Sequence, residues 1–413
     1  MRRALPVVLA VTILAAGGIS RAEVTQRGGE GPRGVTDTTI TVGGLGDAGL
    51  YGDAAVGARA RFQRANRDGE LPGGRTIEFV RFADDKSDAV LDETEARTLV
   101  EQDQVFAIVP VVTPAFDSSR YFDRQQVPVV GWGIAPGFCG NDYAFGFNGC
   151  LVPPADAASN VWGLLIERYL DELSSTAPVT SGGSETKRAA VVADDDEAGR
   201  NNQRVVTAAA EDAGLDVVYA EHAVPATGAP DYTPVATEIL AAADGQPPDV
   251  VFLTGAFPNV IGISGKLREL GYQGVLTNAL GYDPRLVSVL AGATALAAFA
   301  PFESAATNRP MQRLIDDVRA VQPDAALTPQ LAAGYFSADL FVKVARKVGK
   351  RLTPKRFLGV ANDDFEWRLK RTAGPTTFPE GHTVPTPCGA LVQSDGSAFQ
   401  VVLPYRCGEL IES

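Results

Sequence analysis

The chain has 413 residues, of which 45% are hydrophobic and 21% are charged. Its length exceeds the usual size of one hydrophobic core, which predicts about two domains. A formal net charge of −13 at pH 7 argues against nucleic acid and anionic membrane surfaces as partners, because both repel an acidic protein.

The N-terminal 22 residues have the pattern of a signal peptide. Arg2 and Arg3 precede an apolar stretch, and Ser20 and Ala22 place small residues at the −3 and −1 positions of a cleavage site. The apolar stretch is shorter than the ~20 residues of a membrane-spanning helix, although an uncleaved anchor remains the alternative. We expect residues 1–22 to be removed, leaving a soluble exported protein in the periplasm or the cell envelope.

Strand and helix patterns alternate along the rest of the chain. An apolar strand at 39–43, a Gly-rich loop at 44–49, a helix at 53–66 and a strand at 76–82 form a βαβ unit, which predicts a parallel sheet. Further strands are predicted at 105–109, 127–131, 188–193, 215–221, 249–254, 274–277 and 295–302. Further helices are predicted at 87–101, 118–124, 157–173, 200–213, 234–243, 259–270, 282–290, 310–321 and 331–348. We therefore expect two similar α/β halves followed by antiparallel strands.

The four cysteines form two local pairs. Cys139 and Cys150 bracket a loop rich in Gly and Asn, and Cys388 and Cys407 bracket a predicted hairpin. In an exported protein such spacing favours disulfides. A zinc site is the competing interpretation, but the chain has no CxxC motif and only two histidines.

The Gly-rich loop fits the pattern G-x-G-x-x-G after a strand and before a helix, which is the context of a dinucleotide site. The acidic residue expected about 20 residues later would be Asp68, which lies in a predicted turn rather than at the end of a strand. Exported proteins also rarely carry nicotinamide cofactors. The loop is better explained as a tight turn that lets a ligand approach a helix N-terminus, and no cofactor is expected.

Groups suited to catalysis are scarce in the sequence. His222 follows a strand and His382 lies in a Pro-rich segment, so both are expected at the surface rather than as catalytic bases. The acidic run from Asp194 to Glu197 follows a strand and opens a helix, which favours a solvated helix cap. The alternative is that these acids face a cationic ligand or bind calcium.

Aromatic residues recur where predicted strands end. These residues are Tyr51, Phe116, Trp132, Phe257 and Tyr282. In a strand interior they would be core residues, but loops at the carboxyl ends of parallel strands line ligand sites. As a set found in both halves, they predict a pocket with flat apolar walls for a small molecule.

From residue 39 to residue 359 the chain resembles the type I periplasmic-binding-protein fold, and within it the Leu/Ile/Val-binding branch of ABC-importer substrate-binding proteins. The resemblance depends on the order and spacing of short motifs, each weak alone. They are Ile40-Thr41-Val42-Gly43, Tyr51-Gly52, Asn66 with Leu71-Pro72-Gly73-Gly74, Asp84-Asp85, Leu99-Val100, Val127-Pro128-Val129, Asp231-Tyr232, Pro248-Asp249-Val250-Val251 and Leu270-Gly271.

The resemblance implies two Rossmann-like lobes, each a parallel sheet flanked by helices, joined by three hinge crossovers with the ligand between them. The crossovers are expected near residue 153, near residue 281 and within 361–375. The N-terminal lobe would then comprise residues 35–153 and 282–365. The C-terminal lobe would comprise residues 154–281 and 366–413.

The resemblance also implies binding residues. Tyr51 matches the Tyr of the first loop, Thr113 the hydroxyl that meets an amino acid's carboxylate, and Gly133 the backbone position after the fourth strand. Three matched positions depart from the pattern. Ala135 replaces a Thr, Ala198 replaces a Tyr, and Asn259 replaces the Glu that holds the ligand's ammonium. Because an unpaired buried ammonium is costly, an amide, a urea-like or aromatic compound, or a small carboxylate fits as well as leucine, unless Asp195 or Glu197 supplies the missing charge.

The sequence therefore predicts an exported, non-enzymatic, monomeric solute-binding protein that delivers a small molecule to an ABC permease in the membrane. The alternative is a ligand sensor of the same fold that signals through a partner. An exported enzyme ranks third, since it would need a catalytic pair in the cleft. Neither a metal nor nucleic acid is expected as a partner.

Overall fold

A computed structural model describes residues 31–151, 157–176 and 186–413, apart from the side chains of residues 222 and 223. The predicted signal peptide at 1–22 and the crossover predicted near residue 153 lie outside the described residues. So does the side chain of His222. None of the helices in the described ranges is long and apolar enough to cross a membrane.

The strands follow the predicted order, with shifts at their ends. In chain order they are β1 (Thr39–Gly46), β2 (Thr76–Asp84), β3 (Ala107–Val112), β4 (Val129–Gly131), β5 (Ala144–Gly146), β6 (Ala158–Ser159), β7 (Arg188–Asp194), β8 (Asp216–Val224), β9 (Val250–Leu253), β10 (Val275–Asn278), β11 (Thr294–Ala297), β12 (Phe365–Leu369), β13 (Ala373–Phe378), β14 (Cys388–Ser394), β15 (Phe399–Cys407) and β16 (Leu410–Ile411). Strand β1 continues to Gly46, so the first half of the predicted Gly-rich loop is strand.

The helices separate these strands. They are α1 (Ala48–Tyr51), α2 (Asp53–Arg67), α3 (Ala89–Glu101), α4 (Ser119–Arg124), α5 (Val161–Thr176), α6 (Glu197–Asp212), α7 (Thr233–Ala241), α8 (Phe257–Glu269), α9 (Arg309–Val321), α10 (Pro329–Val348) and α11 (Pro354–Ala361). The helix predicted at 282–290 is wrong, because only a short 3₁₀ turn, Pro284–Leu286, forms there. The sequence analysis missed α11, β5 and the β12–β13 hairpin.

The described residues form two large sheets and two two-stranded sheets, β12-β13 and β16-β6. A five-stranded sheet has the order β2-β1-β3-β4-β5, and all its pairs are parallel. A seven-stranded sheet has the order β15-β14-β11-β10-β9-β7-β8. Its strands β7 to β11 pair in parallel, whereas β14 and β15 pair antiparallel. The predicted α/β class with parallel sheets is confirmed, and so is the antiparallel C-terminus.

The division into two lobes remains a proposal, and the strand pairings refine its boundaries. Strand β11 is hydrogen-bonded to β10, so we propose the second crossover after Ala297 rather than near residue 281. The β12–β13 hairpin buries Trp367 and Phe378 in the same hydrophobic core as Phe336 and Phe341 of α10. We therefore propose the third crossover after Phe378.

Helices α2 and α10 pack closely through glycines. A Cβ atom on Gly57 would lie 1.9 Å from the carbonyl oxygen of Leu331, and one on Gly334 would lie 1.9 Å from that of Ala54. No side chain fits at such distances, so the two backbones approach closely only because both positions are glycine. This contact covers one face of the five-stranded sheet.

Both predicted disulfides are present. Cys139 pairs with Cys150, and Cys388 pairs with Cys407. The second disulfide joins neighbouring residues of β14 and β15. Closing loops of 11 and 19 residues restricts the unfolded chain and so stabilises the folded state.

His382 corrects a sequence prediction, because it is buried rather than at the surface, with only 2% of its area exposed. Its ring packs on Phe145 and Phe378, and its Nδ1 lies 3.0 Å from the carbonyl oxygen of Ala144. Burial lowers the pKa of His382. It holds the segment before β14 against β5.

Candidate functional site

The carboxyl ends of the parallel strands in the five-stranded sheet form the first edge of the candidate site. Asp47 follows β1 and caps α1, since its Oδ1 accepts hydrogen bonds from the backbone N–H groups of Gly49 and Leu50 at 2.8 and 3.0 Å. Its Oδ2 accepts one from the Ser87 hydroxyl at 2.9 Å. This capping fixes the short helix that carries Tyr51.

Tyr51 lies at the centre of an apolar group at this edge. It is buried together with Ala54 and Val112, and Phe82, Trp132 and Ile134 pack around them half-buried. Burial raises the pKa of Tyr51 to about 12, and the charges of Asp47 and Asp85 add to the effect. The phenol is therefore neutral at physiological pH. We call Leu50, Phe82, Trp132 and Ile134 the apolar wall. The last three pack on the group around Tyr51, and Leu50, which precedes Tyr51 in α1, is 44% exposed.

Thr113 and Gly133, for which the resemblance implies a binding role, follow β3 and β4 at the first edge, and both are buried. The Thr113 hydroxyl accepts a hydrogen bond from the backbone N–H of Ala115 at 3.1 Å. The backbone N–H of Gly133 donates to Asn148 Oδ1 at 3.1 Å. A Cβ on Gly133 would lie 1.8 Å from the Gly149 carbonyl oxygen, so this glycine is required by packing against the disulfide loop.

Three of the predicted site residues lie in hydrophobic cores. Phe116 is 2% exposed and packs on Phe138 with ring centroids 4.9 Å apart, and Ala135 belongs to the same core. Tyr282 packs on Phe302 and Phe399, and its hydroxyl donates to Glu303 at 2.7 Å. Because their side chains contact other core residues, we leave all three out of the proposed site.

The carboxyl ends of β7, β9 and β10 form the second edge. Asp194, which ends β7, is 7% exposed. Its Oδ2 accepts from the backbone N–H of Ala256 at 2.8 Å, and its Oδ1 accepts from Asn259 Nδ2 at 2.6 Å. This carboxylate therefore holds the loop after β9 rather than remaining open to a ligand.

Both the nitrogen and the oxygen of the Asn259 side-chain amide are hydrogen-bonded to protein groups. Besides its bond to Asp194, its Nδ2 donates to the Pro225 carbonyl oxygen at 2.8 Å, and its Oδ1 accepts from the Tyr232 hydroxyl at 3.0 Å. With 1% of its area exposed, Asn259 stabilises the second edge. Ala198 is exposed and Phe257 is half-buried at this edge.

The remaining acids of the run after β7 are exposed. Asp196 caps α6 by accepting from the Gly199 backbone N–H at 2.7 Å, as the solvated-cap interpretation predicts. Asp195 lies 3.9 Å from Arg200 in an exposed ion pair. Across the described ranges no three His, Cys, Asp or Glu side chains form a group that could hold a metal ion, so the calcium alternative lacks a ligand set.

Arg285 joins the two edges and was missed in the sequence. It follows β10 of the seven-stranded sheet, and its Nη2 donates to the Leu50 carbonyl oxygen of α1 at 3.4 Å. Buried Asp283 orients it, accepting from Nε at 2.9 Å and from Nη2 at 2.6 Å. The sequence shows only that Arg285 follows Asp283 by two residues within a predicted helix, and this spacing does not indicate a contact with α1.

A separate groove of about 730 Å³ lies between α4 and the loop closed by Cys139 and Cys150. Its lining is mostly polar and includes Arg120, Asp123 and Asn141. None of the apolar wall residues lines it, and of the predicted ligand-binding residues it includes only Phe116. We therefore base the candidate site on the two edges and not on this groove.

Comparisons with known proteins agree with this fold. A family model described as periplasmic binding protein matches residues 39–398. No protein with curated annotation matches the chain.

Several solved structures share the fold. A fatty acid ABC transporter substrate-binding protein from Thermomonospora curvata is 18% identical, with a TM-score of 0.69 over 92% of this chain and 95% of that one. A solute-binding protein of an ABC transporter from Rhodopseudomonas palustris BisB5, in complex with 3,4-dihydroxy benzoic acid, is 15% identical, with a TM-score of 0.67 over 90% and 98%. LivJ from Streptococcus pneumoniae, in complex with isoleucine, is 18% identical, with a TM-score of 0.61 over 89% and 100%.

Proposed function

We infer the function from the family, since the chain belongs to the periplasmic binding proteins. We propose that it is exported, binds a small solute between its two lobes and delivers that solute to an ABC permease in the membrane. The observation that carries the proposal is the pair of edges formed by strand ends, joined by Arg285. Parallel α/β sheets bind ligands at such edges.

Closure of the lobes would couple binding to delivery. A ligand that contacts both edges binds the closed form more tightly than the open form, and it shifts the population toward the closed form by that difference in affinity. We propose that the ligand contacts the apolar wall and Tyr51 on the first lobe, and Phe257 and Ala198 on the second. Thr113 and Gly133 complete the proposed first edge.

The proposed ligand differs from a free α-amino acid. At the second edge the amide of Asn259 and the carboxylate of Asp194 are bound by protein groups, so neither is open to an ammonium group. The first edge offers Leu50, Phe82, Trp132 and Ile134, which suit an aliphatic or aromatic body. Of the related structures, one is of a fatty acid ABC transporter substrate-binding protein, and two are complexes with 3,4-dihydroxy benzoic acid and with isoleucine. We propose the first two ligand classes over the third.

Thermal unfolding tests the proposal. The melting temperature of the protein is measured without a probe and with isoleucine, 3,4-dihydroxybenzoate or octanoate. Sodium chloride at equal ionic strength is the control. A probe at 100 times its Kd stabilises the protein by ~2.7 kcal/mol, which raises the melting temperature by about 2 °C or more. We expect octanoate or the aromatic acid to give the largest increase. No increase with any probe would contradict the proposed function.

A further inference from the structure

Two hydrogen-bond donors at the first edge lack acceptors. The indole Nε1 of Trp132 is buried and has no hydrogen-bond partner among the described residues. Arg285 donates from Nε and Nη2 to Asp283, and from Nη2 also to the Leu50 carbonyl oxygen. Its Nη1 makes no hydrogen bond within the part of the chain that the structure describes. A buried donor without an acceptor costs free energy, so a bound oxygen atom at Trp132 Nε1 would relieve that cost. The Arg285 side chain is 49% exposed, and it would add a charged donor to the same group.

Both donors border Tyr51. Trp132 packs against the apolar group around it. Arg285 reaches the carbonyl oxygen of the preceding residue, Leu50, and its positive charge acts on the Tyr51 phenol. The guanidinium and the indole N–H therefore lie at the same edge as the apolar wall.

The acids near this edge are already bound by protein donors. Asp47 accepts from two backbone N–H groups and from Ser87. Asp53 accepts from the Thr328 hydroxyl at 3.1 Å. Asp283 accepts from Arg285 and, at 3.3 Å, from Gln330 Nε2. Beside the wall the donors without partners are thus Trp132 Nε1 and Arg285 Nη1, which match the acceptor oxygens of a ligand. Two buried acceptors, Asp85 Oδ2 and Gln330 Oε1, also lack partners among the described residues.

We propose that the ligand is an amphipathic carboxylate, with its aliphatic or aromatic body on the apolar wall and its carboxylate on Arg285 Nη1 and Trp132 Nε1. This inference rests on the proposed function and narrows its ligand class. Asp283 is a positioning residue, because it fixes the guanidinium through two hydrogen bonds while leaving Nη1 available. A guanidinium donates well-aligned, charge-assisted hydrogen bonds to a carboxylate, so it discriminates against neutral isosteres.

A structural role for Arg285 is the competing interpretation. Its hydrogen bond to Leu50 connects the segment after β10 with α1, so the side chain could serve only to join the two edges. In that case, replacing Arg285 would weaken the binding of charged and neutral ligands equally. The two roles differ in whether the effect of the substitution depends on the charge of the ligand.

Calorimetric titration of the full mature chain with octanoate and octanamide separates the two roles. The wild type should bind octanoate at least about tenfold more tightly than octanamide. Arg285→Gln should weaken octanoate roughly 10- to 100-fold while changing the octanamide affinity by less than about threefold. Trp132→Phe keeps an aromatic body without the N–H, and it should weaken octanoate by about fivefold.

Three results would overturn the inference. The wild type could bind octanamide as tightly as octanoate, Arg285→Gln could weaken both probes equally, or isoleucine could bind while octanoate does not. The last result leaves the proposed function standing, whereas no binding of any probe contradicts that function as well. If Arg285→Gln does not fold, the inference is still tested by the preference of the wild type for octanoate over octanamide and by the octanoate affinity of Trp132→Phe.

Discussion

Asp339→Asn is expected to destabilise the protein by about 2–3 kcal/mol at pH 7, because it removes the buried carboxylate that binds Arg61 Nε and Lys343. Arg61 keeps its second partner, Glu70, which binds Nη1 and Nη2 at 2.8 Å. Asp339 Oδ1 lies 2.7 Å from Arg61 Nε, and both side chains are 2% exposed. Its Oδ2 lies 2.8 Å from Lys343 Nζ and accepts from Trp367 Nε1 at 3.1 Å. Urea unfolding of the wild type and the variant measures the difference in free energy.

The pH dependence of this effect has a definite sign. Burial opposes the ionisation of Asp339, but the charges of Arg61 and Lys343 outweigh it and lower the pKa to about 2 from the ordinary value of 3.8. The stabilisation is therefore complete above about pH 4 and is lost as the pH falls through 2. The difference between wild type and Asp339→Asn should shrink in that range.

An exposed ion pair provides the matched control. Glu366 and Arg368 lie 3.1 Å apart with side chains 46% and 63% exposed, so Glu366→Gln removes one acid from a solvated pair. We expect a loss below about 1 kcal/mol. Equal losses for Asp339→Asn and Glu366→Gln at pH 7 would contradict the account of the buried pair.

Asp92→Asn is expected to stabilise the protein at pH 8 by roughly 2–4 kcal/mol. Asp92 is fully buried in the first turn of α3, where its Oδ2 accepts from the Ser118 backbone N–H at 2.6 Å. Its Oδ1 has no hydrogen-bond partner among the described residues. Burial raises the pKa of Asp92 to about 7 from 3.8, and that gap corresponds to roughly 4 kcal/mol.

The sign follows from proton binding. Between pH 4 and pH 7 the folded protein holds the Asp92 proton while the unfolded chain releases it, so the wild type loses stability as the pH rises through this range. The asparagine stays neutral and keeps the acceptor for Ser118. Chemical unfolding at pH 4, 6 and 8 should show that the free energy of unfolding of the variant, relative to the wild type, increases with pH.

Asp123→Asn serves as the control for net charge, because Asp123 is exposed on α4. The free energy of unfolding of Asp123→Asn should stay within about 0.5 kcal/mol of the wild-type value at all three pH values. A constant difference between Asp92→Asn and the wild type from pH 4 to pH 8 would contradict the buried, protonated carboxyl.

Much of the fold could be predicted from local patterns. The strands of parallel sheets are continuous apolar runs, so β3 with its six buried residues and β9 with its four are evident in the sequence. Segment 282–290 failed because its apolar residues serve the core rather than a helix face. Asp283 caps only a single 3₁₀ turn there, Pro284–Leu286, by accepting from the backbone N–H of Arg285 at 2.9 Å.

The candidate site was predicted only where it depends on strand ends. Trp132 follows β4 directly, and Tyr51 ends the short helix α1 that follows β1, so topology alone places them at one edge. Arg285 could not be identified, because its contact with Leu50 joins residues 235 positions apart. The role of Asn259 was likewise hidden, since Asp194, 65 positions earlier, binds its amide.

Fluorescence titration of Trp132 is the most direct test of a ligand at the first edge. Of the three tryptophans, Trp162 and Trp367 are 5% and 0% exposed, and Trp132 is the half-buried one in the apolar wall. The probe that raises the melting temperature most should change the emission of the wild type at saturation, and it should leave that of Trp132→Phe unchanged. An equal change in both proteins would contradict a ligand bound against Trp132.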